Sequence, residues 1–492
     1  MHNDVVRRGR LTGERSGEMM HFLSSMDADR HLADADVLVD IAHIMMLYKQ
    51  RIIERETARP LLSALLQLYD NGIPEPVFDD QFEDIHAGIE SFLIETVGEE
   101  VGGRLHIGRS RNDEVCACLR IRIREDLLKQ LAILCKLRHV LISLASEHSE
   151  TVMPGFTHFQ HAQPTTLAHH LLSYEQAFSR DFERLMEAYS RVNRSPLGAA
   201  AFASTSFPVN REYTAALLGF DGVIGNTMDA VASRDFALEV LAALSIMMTL
   251  VSRLCEDMIL WSSRFIRFVN LDDAFCSTSS IMPQKKNPDS AEIMRAKTGS
   301  VLGAYIAAAT IVKALPMSYN RDLQELTPSL IRGVHDAKHS SALLAEMLAS
   351  ATFNPERMRQ EAGYGDTTAT DLADMLVRRF GLPFRTAHSI VGRAVQKGNF
   401  EIATLDQAAT EISGISLSGK GLTGSDISEA LDVDKGLAEK RATGSPSKIS
   451  VVAAIEERKG LLTGDQKWLE EKKKLLLDAI LDLIRDARRI AE

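Results

Sequence analysis

Glycine and proline are scarce in this 492-residue chain, with 30 and 14 copies, together about 9% against an average near 12%. The deficit disfavours a turn-rich all-β protein. It is also uneven: neither residue occurs between Gly108 and Pro154, between Pro164 and Pro196, or between Gly225 and Pro283. Strands joined by turns would not leave such stretches unpunctuated. Cysteine is sparse too. Cys116, Cys118, Cys135, Cys255 and Cys276 are an odd number, which reads as reduced thiols and a cytoplasmic location rather than a disulfide framework. Cys116 and Cys118, two apart on a helix, point in different directions and make a poor metal pair. There is no basic excess. Lys and Arg number 56 against 67 Asp and Glu, a formal net charge of −11, so neither nucleic acid nor an anionic membrane surface is expected as the main partner. The apolar run from Val240 to Val251 falls short of the roughly 18 residues a membrane-spanning helix needs. The first twenty residues carry Asp4, Arg7, Arg8, Arg10, Glu14 and Arg15 with no apolar core, so they do not read as an export signal.

What the chain has is helix. Its length corresponds to about three domains. An uninterrupted helix from Asp113 to His148 would be about 54 Å long, beyond the diameter of a small domain. Helices of that length imply an elongated bundle. The segment Val240 to Val251 is apolar nearly all round, and a helix without a polar face is buried on every side. It would lie at the centre of a bundle, either of one chain or shared between subunits. Residues 1–108 are mixed, with helical stretches at Leu38–Tyr48 and Leu61–Tyr69. From Asn354 the composition shifts again, and a last helix is expected from Gln466 to Ala491. The expected architecture is all-α, with boundaries at 1–108, 109–353 and 354–492.

Four polar clusters interrupt this pattern. The run from Cys276 to Pro288 joins small hydroxyl residues, suited to a mobile loop, to Lys285 and Asn287. A cation and an amide dipole there could hold a carboxylate or carbanionic intermediate beside a serine base or nucleophile; the bland alternative is a solvated loop between helices. Arg109–Asp113 opens the first long helix, where unpaired N–H groups face an anion. Its two arginines suit a dicarboxylate, although a capped helix start with flanking charges looks the same. Gly155–Thr166 contains His158 and His161, three apart, but no carboxylate accompanies them and the zincin pattern is absent. One histidine as a general acid beside Thr157 and Gln160 fits better than a metal site, set against a histidine merely satisfied in a core or loop. Tyr319–Gln324 reads as a polar pocket wall or as an exposed helix start.

The run Ser279–Ser280–Ile281–Met282–Pro283–Gln284–Lys285–Lys286–Asn287–Pro288–Asp289 closely resembles the signature loop of the fumarase/aspartase superfamily, and is most similar to its argininosuccinate lyase branch. Segments 24–30, 83–86, 109–113, 157–158, 229–231, 234–236, 319–324, 370–374 and 383–388 match that branch in order and spacing. The resemblance implies three mostly helical domains per subunit, long helices associating into a homotetramer, and active sites that each draw on three subunits. The implied reaction is β-elimination, in which a C–N bond of an N-substituted aspartate breaks to give fumarate and an amine. By resemblance Ser279 is the general base, on a loop that closes over a small-molecule substrate. Lys285 and Asn287 stabilise the carboxylate, and His158 is the general acid or orients the leaving group, with Glu292 as its partner. Ser110, Arg111, Asn112 and Thr157 bind the succinyl carboxylates, while Ser25, Asp29, Tyr319 and Gln324 face the amine half. No metal or organic cofactor is implied.

The departures from that branch bear on the substrate. Glu325–Leu326–Thr327 stands where the branch usually has Glu-Asp-Lys, whose lysine is a substrate contact. Ile107 replaces a usual Thr, Thr278 a usual Gly, and Pro196–Ala201 fills in a glycine-rich stretch. A lost hydrogen bond to a charged group costs roughly 1.5–3 kcal/mol, enough to change the leaving group. Three readings follow: cleavage of argininosuccinate to arginine and fumarate; cleavage of another N-substituted aspartate such as ethylenediamine-N,N′-disuccinate; and an inactive, crystallin-like structural protein. The joint presence of Ser279, Lys285, Asn287 and His158 disfavours the last.

Overall fold

The computed structural model describes residues 16–79 and 81–492; the charged residues from Asp4 to Arg15, read above against an export signal, lie outside them. Among the described residues, β-structure is confined to three two-stranded pairs and one isolated bridge. The rest is helical. Helices α1 (Ala33–Lys49), α2 (Arg55–Asn71) and α3 (Ile85–Val97) pack at one end of a five-helix bundle. The bundle itself is α4 (Arg111–Glu147), α5 (Leu167–Val192), α6 (Asp235–Ser262), α7 (Asp289–Val312) and α8 (Leu326–Ser350).

Helix α4 starts where its capping chemistry dictates. The Ser110 hydroxyl accepts from Asn112 N, and Asp113 accepts from Ser110 N in return, which satisfies two of the open N–H groups. From there its 37 residues span about 55 Å. Helix α6 is longer than its apolar run suggests, and by length and hydropathy it is apolar enough to cross a membrane. In the fold it packs against α5, α7 and α8, burying Val240, Leu241, Leu244, Met247, Met248 and Val251. The burial is not complete on every side, because Ile246 remains 48% exposed.

Beyond the bundle, α9 (Pro355–Ala362) leads into α10 (Ala369–Phe380), α11 (Phe384–Lys397) and α12 (Ile402–Ser413). These last three share a separate small core around Leu372, Leu376, Ile390 and Leu405. The final helix, α13, departs from expectation. It runs from Lys448 to Ala491, beginning well before Gln466 and passing through Gly460 and Gly464. A glycine inside a helix costs about 1 kcal/mol, and both of these face open space. Burial of Val451, Ile455, Leu462 and Leu469 outweighs that cost. The helix packs back along α4, α5 and α2, and the buried Arg138 of α4 bonds both Glu175 of α5 and Asp465 of α13.

A candidate active site divided between two ends of the bundle

At the end where α4 begins, a cleft of about 490 Å³, open to solvent, is lined by Ser25, Asp29, Asp84, His86, Arg111 and Arg234, with Tyr319, Gln324 and Thr327 opposite. Five of the residues singled out in the sequence, Ser25, Asp29, Arg111, Tyr319 and Gln324, thus come together. The Ser25 hydroxyl donates to Asp29 Oδ2 at 2.6 Å. Burial pushes the Asp29 carboxyl up to about 6, against the opposing pull of His86 and the Ser25 hydroxyl. Arg111 is aimed by Asp84, which accepts from its Nη1 at 3.0 Å while also capping α3 through Ala87 N. The fourth polar cluster is fixed by two bonds to one carbonyl, since Arg321 and Gln324 both donate to Leu23 O. Ser110 caps α4 beside Arg111, and Asn112 donates to Ala201 O at 3.0 Å.

The filled-in stretch Pro196–Ala201 has a visible job here. Gly198 N and Ala200 N donate to Asp113 Oδ2 at 2.9 and 2.8 Å, so the turn forms a cradle on the N-terminus of α4. Ala200 adopts a left-handed φ of 51° to do so.

Asp84, His86 and Arg234 are cleft residues that carried no role in the sequence reading, although each lies within a segment that matched. His86 Nδ1 stands 2.9 Å from Asp36. Burial works against its charge, yet the Asp36 carboxylate holds the imidazole well above its ordinary pKa. Behind it, Arg109 pairs with Asp40 and Glu114. Asp36, His86 and Cys118, and likewise Asp36, Asp40 and Glu114, converge closely enough to share an ion. The guanidinium and the imidazolium already supply cationic partners there, although His86 Nε2 and Glu114 Oε2 are left without a hydrogen bond.

The remaining candidates lie elsewhere. Val152–Thr157 (β1) pairs antiparallel with Gln160–Thr166 (β2), so the third polar cluster is a hairpin. Pro154 and Pro164, which argue against strands, face each other in its register. Thr157 and Gln160 flank the two turn residues His158 and Phe159, whose φ values are 55° and 57°. Left-handed backbone at non-glycine residues costs of order 1–3 kcal/mol each and persists only where the surroundings enforce it. Here the two-residue hairpin turn requires it, and the hairpin is tied to α9, where His161 Nε2 lies 3.2 Å from Glu361, which Arg357 holds at 2.6 Å. The exposed His158 is therefore presented on a strained tip.

The signature loop is a second, smaller hairpin, Ser277–Thr278 (β3) against Lys286–Asn287 (β4). Lys286 anchors it through Asp273 and Leu271 O, while Lys285 is exposed. Ser279 Oγ accepts from Ile281 N at 3.4 Å and Met282 N at 3.2 Å, so two backbone donors converge on the oxygen. Glu292 is exposed in the first turn of α7; no hydrogen bond or ion pair joins it to His158 among the described residues.

Both hairpins sit at the far end of the bundle. The Phe156 and Phe268 rings are 6.4 Å apart, Val269–Asn270 pairs with Thr352–Phe353 after α8, and Phe353 meets His148 at the end of α4. Ser25, Asp29, Ser110, Arg111, Asn112, Tyr319 and Gln324 therefore stand at the opposite end of the bundle from Thr157, His158, Ser279, Lys285, Asn287 and Glu292, roughly one helix length away, about 36 Å along α7 to about 55 Å along α4. A single chain does not bring the two groups together.

A polar cleft set apart from a serine loop and a histidine hairpin, on a bundle of long helices, fits a carbon–nitrogen lyase of the fumarase/aspartase superfamily. The chain matches the Lyase family over residues 9–303 and the argininosuccinate lyase C-terminal family over residues 366–438. It is 60% identical to the argininosuccinate lyase of Methanoculleus marisnigri and 55% identical to that of Methanospirillum hungatei, covering 100% of both chains in each case. The chain belongs to the argininosuccinate lyase family. Among solved structures, an EDDS lyase in complex with formate superposes with a TM-score of 0.85 at 32% identity, over 99% of this chain and 98% of that one. A class II fumarase from Schistosoma mansoni shares the fold, with a TM-score of 0.70 at 16% identity over 84% and 91%.

Proposed function

We propose that this protein cleaves argininosuccinate into arginine and fumarate, at sites assembled from different subunits of a homotetramer. The observation that carries the reading is end-to-end identity of 60% with an argininosuccinate lyase, together with a complete set of elimination residues. Ser279 Oγ takes the proton from the carbon next to the one that bears the departing nitrogen. The Ile281 and Met282 N–H groups that converge on that oxygen stabilise its negative charge, as preorganised donors do. Lys285 and Asn287 hold the adjacent carboxylate as it takes up the carbanion charge. The C–N electrons then leave with the nitrogen, and His158, with Glu292 of the assembled site, protonates or orients that leaving group. Ser110, Arg111, Asn112 and Thr157 bind the succinyl carboxylates, and Asp29, set by Ser25, faces the cationic amine half with Tyr319 and Gln324.

The tetramer is supported by the separation of the two groups to opposite ends of one chain's bundle and by apolar surface left on the bundle. Ile246 of α6 and Ile293, Leu302 and Ile306 of α7 are exposed, next to Gly299 and Gly303, which have open space above them. The same reading divides the chain at 1–108, 109–353 and 354–492, with the signature loop at 276–289, and places it in the cytoplasm, where its five free cysteines stay reduced.

The test follows fumarate's ultraviolet absorbance with argininosuccinate and ethylenediamine-N,N′-disuccinate side by side. Turnover of argininosuccinate that Ser279→Ala abolishes while the assembly persists supports the reading. Turnover of the disuccinate alone overturns it and points to the wall at Thr327, which is buried in the cleft.

A further inference from the structure

Away from this site, the outer face of α8 carries two histidines one turn apart. The rings of His335 and His339 have centroids 4.0 Å apart and planes inclined by 32°, the placement that i,i+4 spacing gives on a helix. His339 Nδ1 lies 2.9 Å from the His335 carbonyl. A carbonyl only accepts, so that nitrogen bears the hydrogen and Nε2 keeps the lone pair. His335 Nδ1 faces Asp336 Oδ1 at 3.7 Å, and Asp336 is itself held by Lys297 and Ser300. At that distance the carboxylate acts by its charge rather than as a hydrogen-bond acceptor, which favours the His335 hydrogen at Nδ1. An imidazole whose far nitrogen is engaged by a carbonyl or carboxylate is the usual form of a metal-bound histidine.

Two imidazole nitrogens bound side by side to one cation at about 2.0–2.1 Å stand roughly 3 Å apart, within reach of rings already stacked at 4.0 Å. Of the neighbouring cations, Lys297 is paired with Asp336 and Lys338 with Asp126, which leaves Arg332, exposed one turn before His335. The exposed apolar residues of the bundle lie mainly on α7 and α6, whereas this face of α8 presents Arg332, His335, His339, Leu343 and Glu346 to solvent.

We propose that His335 and His339 form a transition-metal site that takes Zn²⁺, Ni²⁺ or Cu²⁺ through two imidazoles, with water completing the shell. Mg²⁺ and Ca²⁺, which demand oxygen donors, are refused. The site takes no part in the elimination. It bridges one turn of α8 about 12 Å along the helix from Thr327 in the cleft wall, and so fastens the helix that carries that wall.

The test titrates the full-length protein with Zn²⁺, Cu²⁺ and Mg²⁺ by calorimetry and records the Cu²⁺ electron paramagnetic resonance spectrum. One Zn²⁺ or Cu²⁺ per chain is expected, Cu²⁺ the tighter, with nitrogen couplings from two imidazoles and a raised thermal midpoint. His335→Ala and His339→Ala should each weaken binding at least about tenfold and abolish the thermal shift, since two-point chelation is lost. Their fumarate release without metal should match the unsubstituted protein. Binding that both variants retain, couplings from one nitrogen, or affinity no better than for Mg²⁺ would overturn the site.

Discussion

Asp29 is a carboxylate that the fold makes hard to ionise, and this sets the pH behaviour of the cleft. Its pKa is raised to about 6 by burial, above the value near 3.9 of an unfolded chain. A raised carboxyl pKa means that the folded state holds the proton more tightly, so ionising Asp29 costs stability above pH 6, and that cost is relieved as pH falls from 6 towards 3.9. Substrate binding runs the other way, because a cationic amine half needs the carboxylate. The KM for argininosuccinate should rise as pH falls through 6. Asp29→Asn should remove that dependence and raise KM by about 10–100-fold at pH 7.5, the equivalent of one lost charged hydrogen bond. An unchanged KM profile in steady-state kinetics would detach Asp29 from the substrate. At this scale the sequence was informative for Ser25, Asp29, Arg111, Tyr319 and Gln324, whose types and order matched a known pattern. It was mute for His86, because its role depends on burial against Asp36, a residue fifty positions away that nothing local marks.

At the scale of elements, breaker spacing was enough to find the long helices, and a serine cap placed the start of α4. It misled where a breaker is tolerated. Pro154 and Pro164 sit paired in a hairpin, and Gly460 and Gly464 sit inside α13, since packing against the bundle outweighs local propensity in both places. The hairpin makes a specific prediction. Glu361, on a different element, holds its base through His161, while the strain lies at His158. Glu361→Gln should therefore lower kcat about tenfold while KM changes little, since a near-attack position is lost but binding is not, and restoring the charge with Glu361→Asp should recover part of it. Equal losses in kcat and thermal stability would mean that the clamp only holds the fold. Helix α13 makes another. Arg138→Ala leaves Glu175 buried beside a lost partner, which should cost about 3–5 kcal/mol in a denaturation midpoint, without selective loss of kcat.

For the whole molecule, the controlling length is that of α4. A chain that puts the cleft of Asp29 and Arg111 at one end of its bundle and the serine loop and histidine hairpin at the other completes the proposed site only when copies pack with opposite ends together. In the sequence this arrangement was an implication of the family resemblance alone, since the apolar run of α6 suits a bundle of one chain as well as one shared between subunits. Which faces stay open in one chain was not legible, because Ile246, Ile293 and Leu302 look the same in sequence as their buried neighbours. The most direct test mixes two inactive variants, Asp29→Ala and Ser279→Ala, by unfolding and refolding them together. Sites that combine the cleft of one chain with the loop of another should restore about a quarter of the full activity, as random assembly of a closed oligomer gives. No recovery from a fully mixed tetramer would mean that each chain supplies both halves of its own site, and would contradict this account.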